Sequence, residues 1–468
     1  MSHRRLAPSR GPRSRSRRPV LLGAALAFGA VSCEECIRGK DEELDCSYYV
    51  EAFEKTAEEE GILLDEIPDK PSFPMALAIS EAGIAELLKG VTGDKNPVAG
   101  GNLKLFGLNL EIIPKKTSVK LTSKLGQCSQ CVIFSVDFTV QAITDGGTSQ
   151  AAGTGSSQTS IPLRLEERDD DTTVLVAAYD EMKILDLNLR VMGFDTSNYP
   201  EFERAVEIKM TELIREQSAP AELMRFQPWT IGTNSVKVAA KRFAIFPDAG
   251  VIVLGMQTNL DLPPTAALKI DESIPDNRMM RVQMHPGLLF GMAERMMVEG
   301  EIPRRYDDDG KPDENGAQAI TLTRLTKNAL GPTDLDVVFR VWRTKGSVPG
   351  EPEYCGYADA VAVLRLGLAD TDSLEDRITV TPTDDLYVLG GRGVGDLYED
   401  NQEYVDDNKD LVDYFKRSLA DQIGITVNYN ELAVDGQNII FDAKGLTVSQ
   451  ASIDILLDFL VLAAPEGG

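Results

Sequence analysis

The 468-residue chain is expected to fold as an α+β protein made mainly of long, curved antiparallel strands, with a few helices in a duplicated order. Three observations predict this. Apolar residues recur with period two over long stretches: Val132, Phe134, Val136, Phe138 and Val140 alternate with Ile133, Ser135, Asp137, Thr139 and Gln141. One face of such a strand is apolar and the other largely polar. Helical spacing is confined to a few segments, and one order of elements recurs after about two hundred residues.

The N-terminus reads as an export signal over residues 1–32. Arg4, Arg5, Arg10, Arg13, Arg15, Arg17 and Arg18 form a basic region, Val20 to Ala30 an apolar one, and small residues lead to Cys33. The apolar run is shorter than the ~20 residues that cross a bilayer. Ser16-Arg17-Arg18-Pro19-Val20-Leu21 resembles a twin-arginine signal, and Ala30-Val31-Ser32-Cys33 resembles the lipobox of a bacterial lipoprotein. That resemblance implies lipidation of Cys33, with Glu34 after it implying the outer membrane. Residues 33–72 then serve as a tether with a short helix.

The first half is placed at 73–245. Phe73 to Ile79 is strand-like; Ser80 caps a helix carrying Ile84, Leu87 and Leu88 that stops at Gly90. Leu108, Leu110 and Ile112, then the Val132 row, then Leu185, Leu187, Leu189 and Val191 give one-sided strands, which must curl around a core or a cavity. Residues 144–160, rich in Gly, Ser, Thr and Gln, read as a long mobile loop. A helix is expected over Asn198 to Gln217.

The second half, 246–468, repeats this order. Met280 to Met284 is strand-like, and Pro286 opens a helix with Leu288, Leu289, Met292, Met296 and Met297 that ends at Gly300. Leu335, Val337, Phe339 and Val341 form a one-sided strand, and Asn408 to Ile423 a late helix.

Pro74-Met-Ala-Leu-Ala-Ile-Ser-Glu-Ala-Gly-Ile-Ala-Glu-Leu-Leu-Lys-Gly90 resembles the opening of the bactericidal/permeability-increasing protein and its lipid-transfer relatives, the tubular lipid-binding superfamily. Lys241 to Met256 resembles that family's mid-chain strands; Gly424-Ile-Thr-Val-Asn-Tyr and Gly436 to Ala443 resemble its closing strands. The resemblance covers most of 73–446 as an order of elements. It implies two elongated, highly curved antiparallel half-barrels, each wrapped on long helices and joined by a central sheet. The basic tip with which those host-defence proteins meet lipopolysaccharide is absent here.

Charge excludes other functions. The chain has 48 Lys+Arg against 74 Asp+Glu, and loss of seven signal arginines takes the formal charge from −26 to −33. So acidic a surface repels phosphate backbones and anionic headgroups, which argues against nucleic-acid partners. Catalysis lacks parts: His285 is the one histidine outside the signal and reads as a helix cap, and neither a Gly-x-Ser-x-Gly elbow nor a phosphate loop occurs. The cluster Gly390, Gly391, Gly393 and Gly395, followed by Asp396 and Glu399, reads as a flexible turn. The acidic run Asp307 to Gly316 fits an EF-hand register poorly, because neither placement of its glycines leaves carboxylates at both ends, and it reads as a solvated hairpin loop. In an exported chain Cys36 with Cys46, and Cys128 with Cys131, are the disulfide candidates, leaving Cys355 unpaired.

The expected protein is therefore an exported, lipid-anchored envelope protein, with no catalytic site, metal or cofactor. It would hold, and in one version transfer, a lipid or acyl-chain ligand in an apolar tunnel lined by Ile84, Leu88, Val132, Phe134, Val136, Phe138, Leu288, Met292 and Met296. The alternative is a non-transporting surface or periplasmic scaffold lipoprotein.

Overall fold

The computed structural model describes residues 46–461 except 93–100, 106–107, 123–129, 144–148, 169–171, 192–193, 196–197, 218–220, 228, 232–233, 345–354, 370–376, 395–400, 428–431 and 435–436. The expected signal, Cys33, Cys36 and Cys128 lie outside the described residues.

Helix α1 (Cys46–Glu59) is followed by β1 (Met75–Ser80) and α2 (Glu81–Thr92). Next come β2 (Gly101–Leu105), β3 (Leu108–Thr122), β4 (Cys131–Ile143), β5 (Ser149–Glu167), β6 (Thr173–Ala177), β7 (Lys183–Val191), β8 (Phe194–Asp195), α3 (Pro200–Gln217) and β9 (Ala221–Phe226). The middle of the chain holds β10 (Trp229–Ile231), β11 (Asn234–Val236), β12 (Val238–Phe246), β13 (Val251–Thr258), β14 (Met280–Met284) and α4 (Pro286–Val298). The last part holds β15 (Arg305–Tyr306), β16 (Gln318–Lys327), β17 (Asp334–Arg343), β18 (Cys355–Ala369), β19 (Arg377–Val394), α5 (Asn401–Asp407), α6 (Lys409–Val427), β20 (Leu432–Val434), β21 (Gln437–Val448) and β22 (Ile453–Val461).

These elements make a mostly β protein of the α+β class: two curled half-barrel sheets and a small third sheet. The larger sheet runs β12-β13-β1-β14-β22-β21-β20-β9-β6-β5-β4-β3-β2, with β7 on β5 and β8 on β7; the second runs β15-β16-β17-β18-β19; the third is the hairpin β10-β11. The two strand-and-helix units read from the sequence lie side by side. Strands β1 and β14 pair antiparallel, with Leu77 opposite Val282, so α2 and α4 leave from opposite ends of the pair. In β1 the alternation sorts residues by face: Leu77 and Ile79 join the main core, while Ala76 and Ala78 meet Val251 and Val253 on the other side.

Local chemistry explains both helix starts. Ser80 Oγ accepts from the backbone N–H of Gly83 at 3.2 Å and donates to Met279 O at 3.1 Å. Gly83 is required there, because a Cβ would sit 2.6 Å from the Met279 carbonyl oxygen. Glu81 carries the helix to its sheet, accepting from the N–H of Leu121 on β3 at 2.9 Å. At α4 the cap is His285, whose Nδ1 accepts from Gly287 N at 3.0 Å, with Pro286 at the first helical position. Helix α2 then meets β3, β9 and β22, whereas α4 meets β16 and α6.

Three expectations are corrected. Residues 149–160 are not a loop: they open the 19-residue strand β5, hydrogen-bonded to β4 on one side and β7 on the other. Pairing on both sides from Gly153 to Ser160 offsets the segment's poor intrinsic propensity. Gly390, Gly391 and Gly393 lie within β19, paired to β18, and form no turn. Gly424 to Val427 continue α6 as helix and do not start a closing strand; β21 and β22 supply the closing pair.

Candidate functional site

The interior of the first sheet is built from facing rows. On β4 the side chains of Val132, Phe134, Val136, Phe138 and Val140 are all buried. Across one edge they face Leu121, Val119 and Ile112 of β3, and across the other Ile161, Thr159, Ser157, Gly155 and Gly153 of β5. Directly opposite residues share a face, so this whole band turns inward. Gly155 has a packing role here: a Cβ would lie 2.5 Å from the Phe138 ring.

The expected lining residues do not form a single row. Ile84, Val132, Phe134, Val136, Leu288, Met292 and Met296 belong to one contiguous buried cluster that reaches across both halves. Phe138 belongs to a separate cluster with Leu110, Ile112, Val140, Ala152, Leu187, Leu189 and Val206 of α3. The side chain of Leu88 lies outside the described residues. On β7 the inward row is Ile184, Leu187 and Leu189, because a register shift between Gln158 and Thr159 turns Leu185 outward. Methionine is common around the second-half residues, where Met280, Met284 and Met297 join Met292 and Met296. Unbranched, polarisable side chains of this kind adapt to irregular shapes.

Polar groups sharpen this picture. Ser157 and Thr159 are 2% and 1% exposed, and neither hydroxyl has a hydrogen-bond partner. The phenol of Tyr179, two residues past β6 and in the same core, also lacks one, and burial pushes its pKa up. An unsatisfied buried hydroxyl costs about 1–3 kcal/mol. The sequence offered one signal for these residues: the alternation Ile161, Leu163, Leu165 extends backwards in register through Thr159 and Ser157.

Near α1 is a second polar cluster. Arg304 Nη2 donates to Glu60 Oε2 at 2.6 Å and Nη1 to Ala57 O at 3.2 Å. Burial raises the Glu60 carboxyl to about 7 despite Arg304, and burial with the charge of Glu60 raises Glu294 to about 8. These groups join the end of α1 to α4. Burial also lowers the pKa of His285, which keeps Nδ1 free to accept its capping bond.

Cysteine pairing differs from expectation. Cys46 bonds Cys355, 309 residues away, so Cys355 is not free and Cys46 does not pair with Cys36. Cys131 is also disulfide-bonded, to a partner outside the described residues. In the acidic loop, Asp307 Oδ1 accepts from the N–H groups of Asp309 and Lys311, and Asp313 Oδ1 from that of Asn315. These carboxylates close the loop's own turns. A cavity of about 20 Å³, the size of one water, is lined by Lys70, Ser72, Gln257 and Leu260 among others, and by none of the nine expected lining residues.

No family model and no curated protein sequence matches the chain. Among solved structures it is similar to a lipopolysaccharide binding protein, with 10% identity over 83% of this chain and 99% of that one, at a TM-score of 0.36. It is also similar to P47 of Clostridium botulinum E1, with 8% identity over 83% and 99% and a TM-score of 0.42. P47 from Clostridium botulinum A2 aligns at 10% identity over 82% and 97%, with a TM-score of 0.39.

Proposed function

We propose that this chain binds a lipid or another acyl-chain molecule inside its first curled sheet, without catalysing a reaction. The observation behind this reading is the inward band of β3, β4 and β5, where a long apolar row faces glycines and unpaired hydroxyls in place of large side chains. Acyl chains would lie against Val132, Phe134 and Val136 and against Ile84 of α2, which share one buried cluster. Each buried methylene contributes ~0.8 kcal/mol. In the second half Leu288, Met292 and Met296 offer an adaptable apolar wall.

The reading extends to the cell envelope. The Arg-rich start and Cys33 support export and lipid anchoring on an outer membrane, from which the domain would hold or transfer its ligand. Cys33→Ser is expected to move the protein from the membrane fraction to the soluble one; unchanged fractionation rejects the anchor. For the ligand, native mass spectrometry with lipid extraction of the full chain is expected to find bound lipid. Protein that carries none and takes up no fluorescent fatty acid would leave the scaffold role in its place.

A further inference from the structure

We propose that Ser157 and Thr159 form a polar rung inside the first sheet that donates hydrogen bonds to the ester carbonyls of a bound acyl ester. The proposal rests on the lipid-binding reading above and names the part of the ligand that is recognised. The two residues are next-but-one neighbours on β5, so both hydroxyls project from one face at adjacent rungs. That face is the interior: Gln158 between them and Ser156 before them are exposed, whereas Ser157 and Thr159 are buried.

Their neighbours fix the chemistry. Ser157 is flanked by Val136 on β4 and Leu187 on β7, and Thr159 by Phe134 and Ile184. All four are apolar, so they neither satisfy the hydroxyls nor supply a countercharge. A carboxylate brought here would be desolvated without a cation, which is strongly unfavourable. A neutral acceptor is different: each hydroxyl has one proton to give, and an ester carbonyl has lone pairs and no charge. The alkyl parts of the same molecule would contact Val136, Phe134, Leu187 and Ile184. A diacyl lipid has two such carbonyls close together, and the strand presents two donors.

A structural role for the hydroxyls does not account for them. Alanine or valine at these positions would fill the same space without burying an unpaired donor, and the rows beside them do use valine. The residue types therefore point to a partner that arrives with the ligand.

The experiment compares two probes of matched headgroup and chain length, a diacyl phosphatidylcholine and its dialkyl-ether analogue, which lacks the carbonyls. Full-length wild type and the Ser157→Ala/Thr159→Val variant are incubated with vesicles of each, re-purified, and their retained lipid measured by mass spectrometry. Wild type is expected to retain the ester over the ether by about tenfold, and the variant to lose that preference while still taking up the ether. Thr159→Ser, which keeps its hydroxyl, should retain the preference. A thermal melt checks folding, and if the double variant does not fold, Ser157→Ala and Thr159→Val are read singly. Equal retention of both probes by wild type, or an unchanged preference in the variants, overturns the rung and leaves lipid binding intact. Wild type that retains neither probe overturns the lipid reading and the rung together.

Discussion

The two curled sheets close their interiors differently. Around β17 of the second sheet both faces are covered. Leu335, Val337, Phe339 and Val341 of β17 face the main core, and on the opposite side Trp342 and Tyr357 pack under Phe53 and Tyr49 of α1, whose first residue is bonded to Cys355. Arg340 lies 3.6 Å from the Tyr357 ring centroid and pairs with Asp359. Several polar side chains buried here have partners: Tyr306 donates to Pro303 O at 2.7 Å, Trp342 Nε1 to Thr321 Oγ1 at 2.9 Å, and the Tyr404 hydroxyl and Gln318 amide lie 2.8 Å apart. The first sheet instead presents Asp137, Thr154, Ser156 and Gln158 outward and keeps Ser157, Thr159 and Tyr179 unpaired within. Unpaired buried atoms also occur at the second sheet, on the Arg343 guanidinium and the Asn401 amide, whereas those of the first interior are neutral hydroxyls set against an apolar row. The proposed ligand is placed in the first half on that difference.

Truncation in the closed half should cost most. Phe339→Ala removes a fully buried ring and is expected to lose about 3–5 kcal/mol in guanidinium unfolding, whether or not lipid has been extracted. Phe134→Ala sharpens the contrast, because its loss should depend on lipid content. Equal dependence at both sites would erase the distinction between the halves.

Opening the Cys46–Cys355 bond comes next. Its long loop places it among the more stabilising cross-links, and Cys355→Ala should cost about 2–4 kcal/mol. The effect is local to the second sheet's cover: hydrogen exchange should rise first in α1 and β18 and leave β4 and β5 protected. Early exchange in β4 would show that the halves are not independent in this respect.

The smallest effect concerns pH at the joint between α1 and α4. Folded Glu60 and Glu294 have values of about 7 and 8, both above the ordinary 4.5, so the folded state holds more protons between these limits. Their contribution is complete below about pH 4.5 and is lost as pH rises through 7 and 8. Glu294→Gln should flatten this slope in thermal melts recorded from pH 5 to 9; an unchanged slope would assign it to other groups.

Legibility in the sequence followed the same division. The β4 and β17 rows could be read because large apolar residues alternate with polar ones, and both helix starts because Ser80 and Pro286 carry recognised capping chemistry. Strand β5 was hidden because its inward positions are Gly, Ser and Thr, residue types that mark loops when no neighbour is visible. Its strand character comes from pairing with β4 and β7, which is tertiary information. The Cys46–Cys355 bond was hidden for a related reason: spacing favours near neighbours, while the fold brings together residues 309 apart. Gly424 was misread because α6 continues through a glycine that usually marks a helix end.

The central claim is that the inward face of the first sheet holds an acyl ligand, and lipid retention by Val136→Gln tests it most directly. The substitution places a polar side chain in the middle of the β4 row, at a stability cost of about 1–3 kcal/mol that a melt on the same sample measures. Native mass spectrometry should show lipid on wild type and much less on a variant that remains folded. Lipid-free wild type, or a folded variant that retains as much lipid as wild type, would contradict the account.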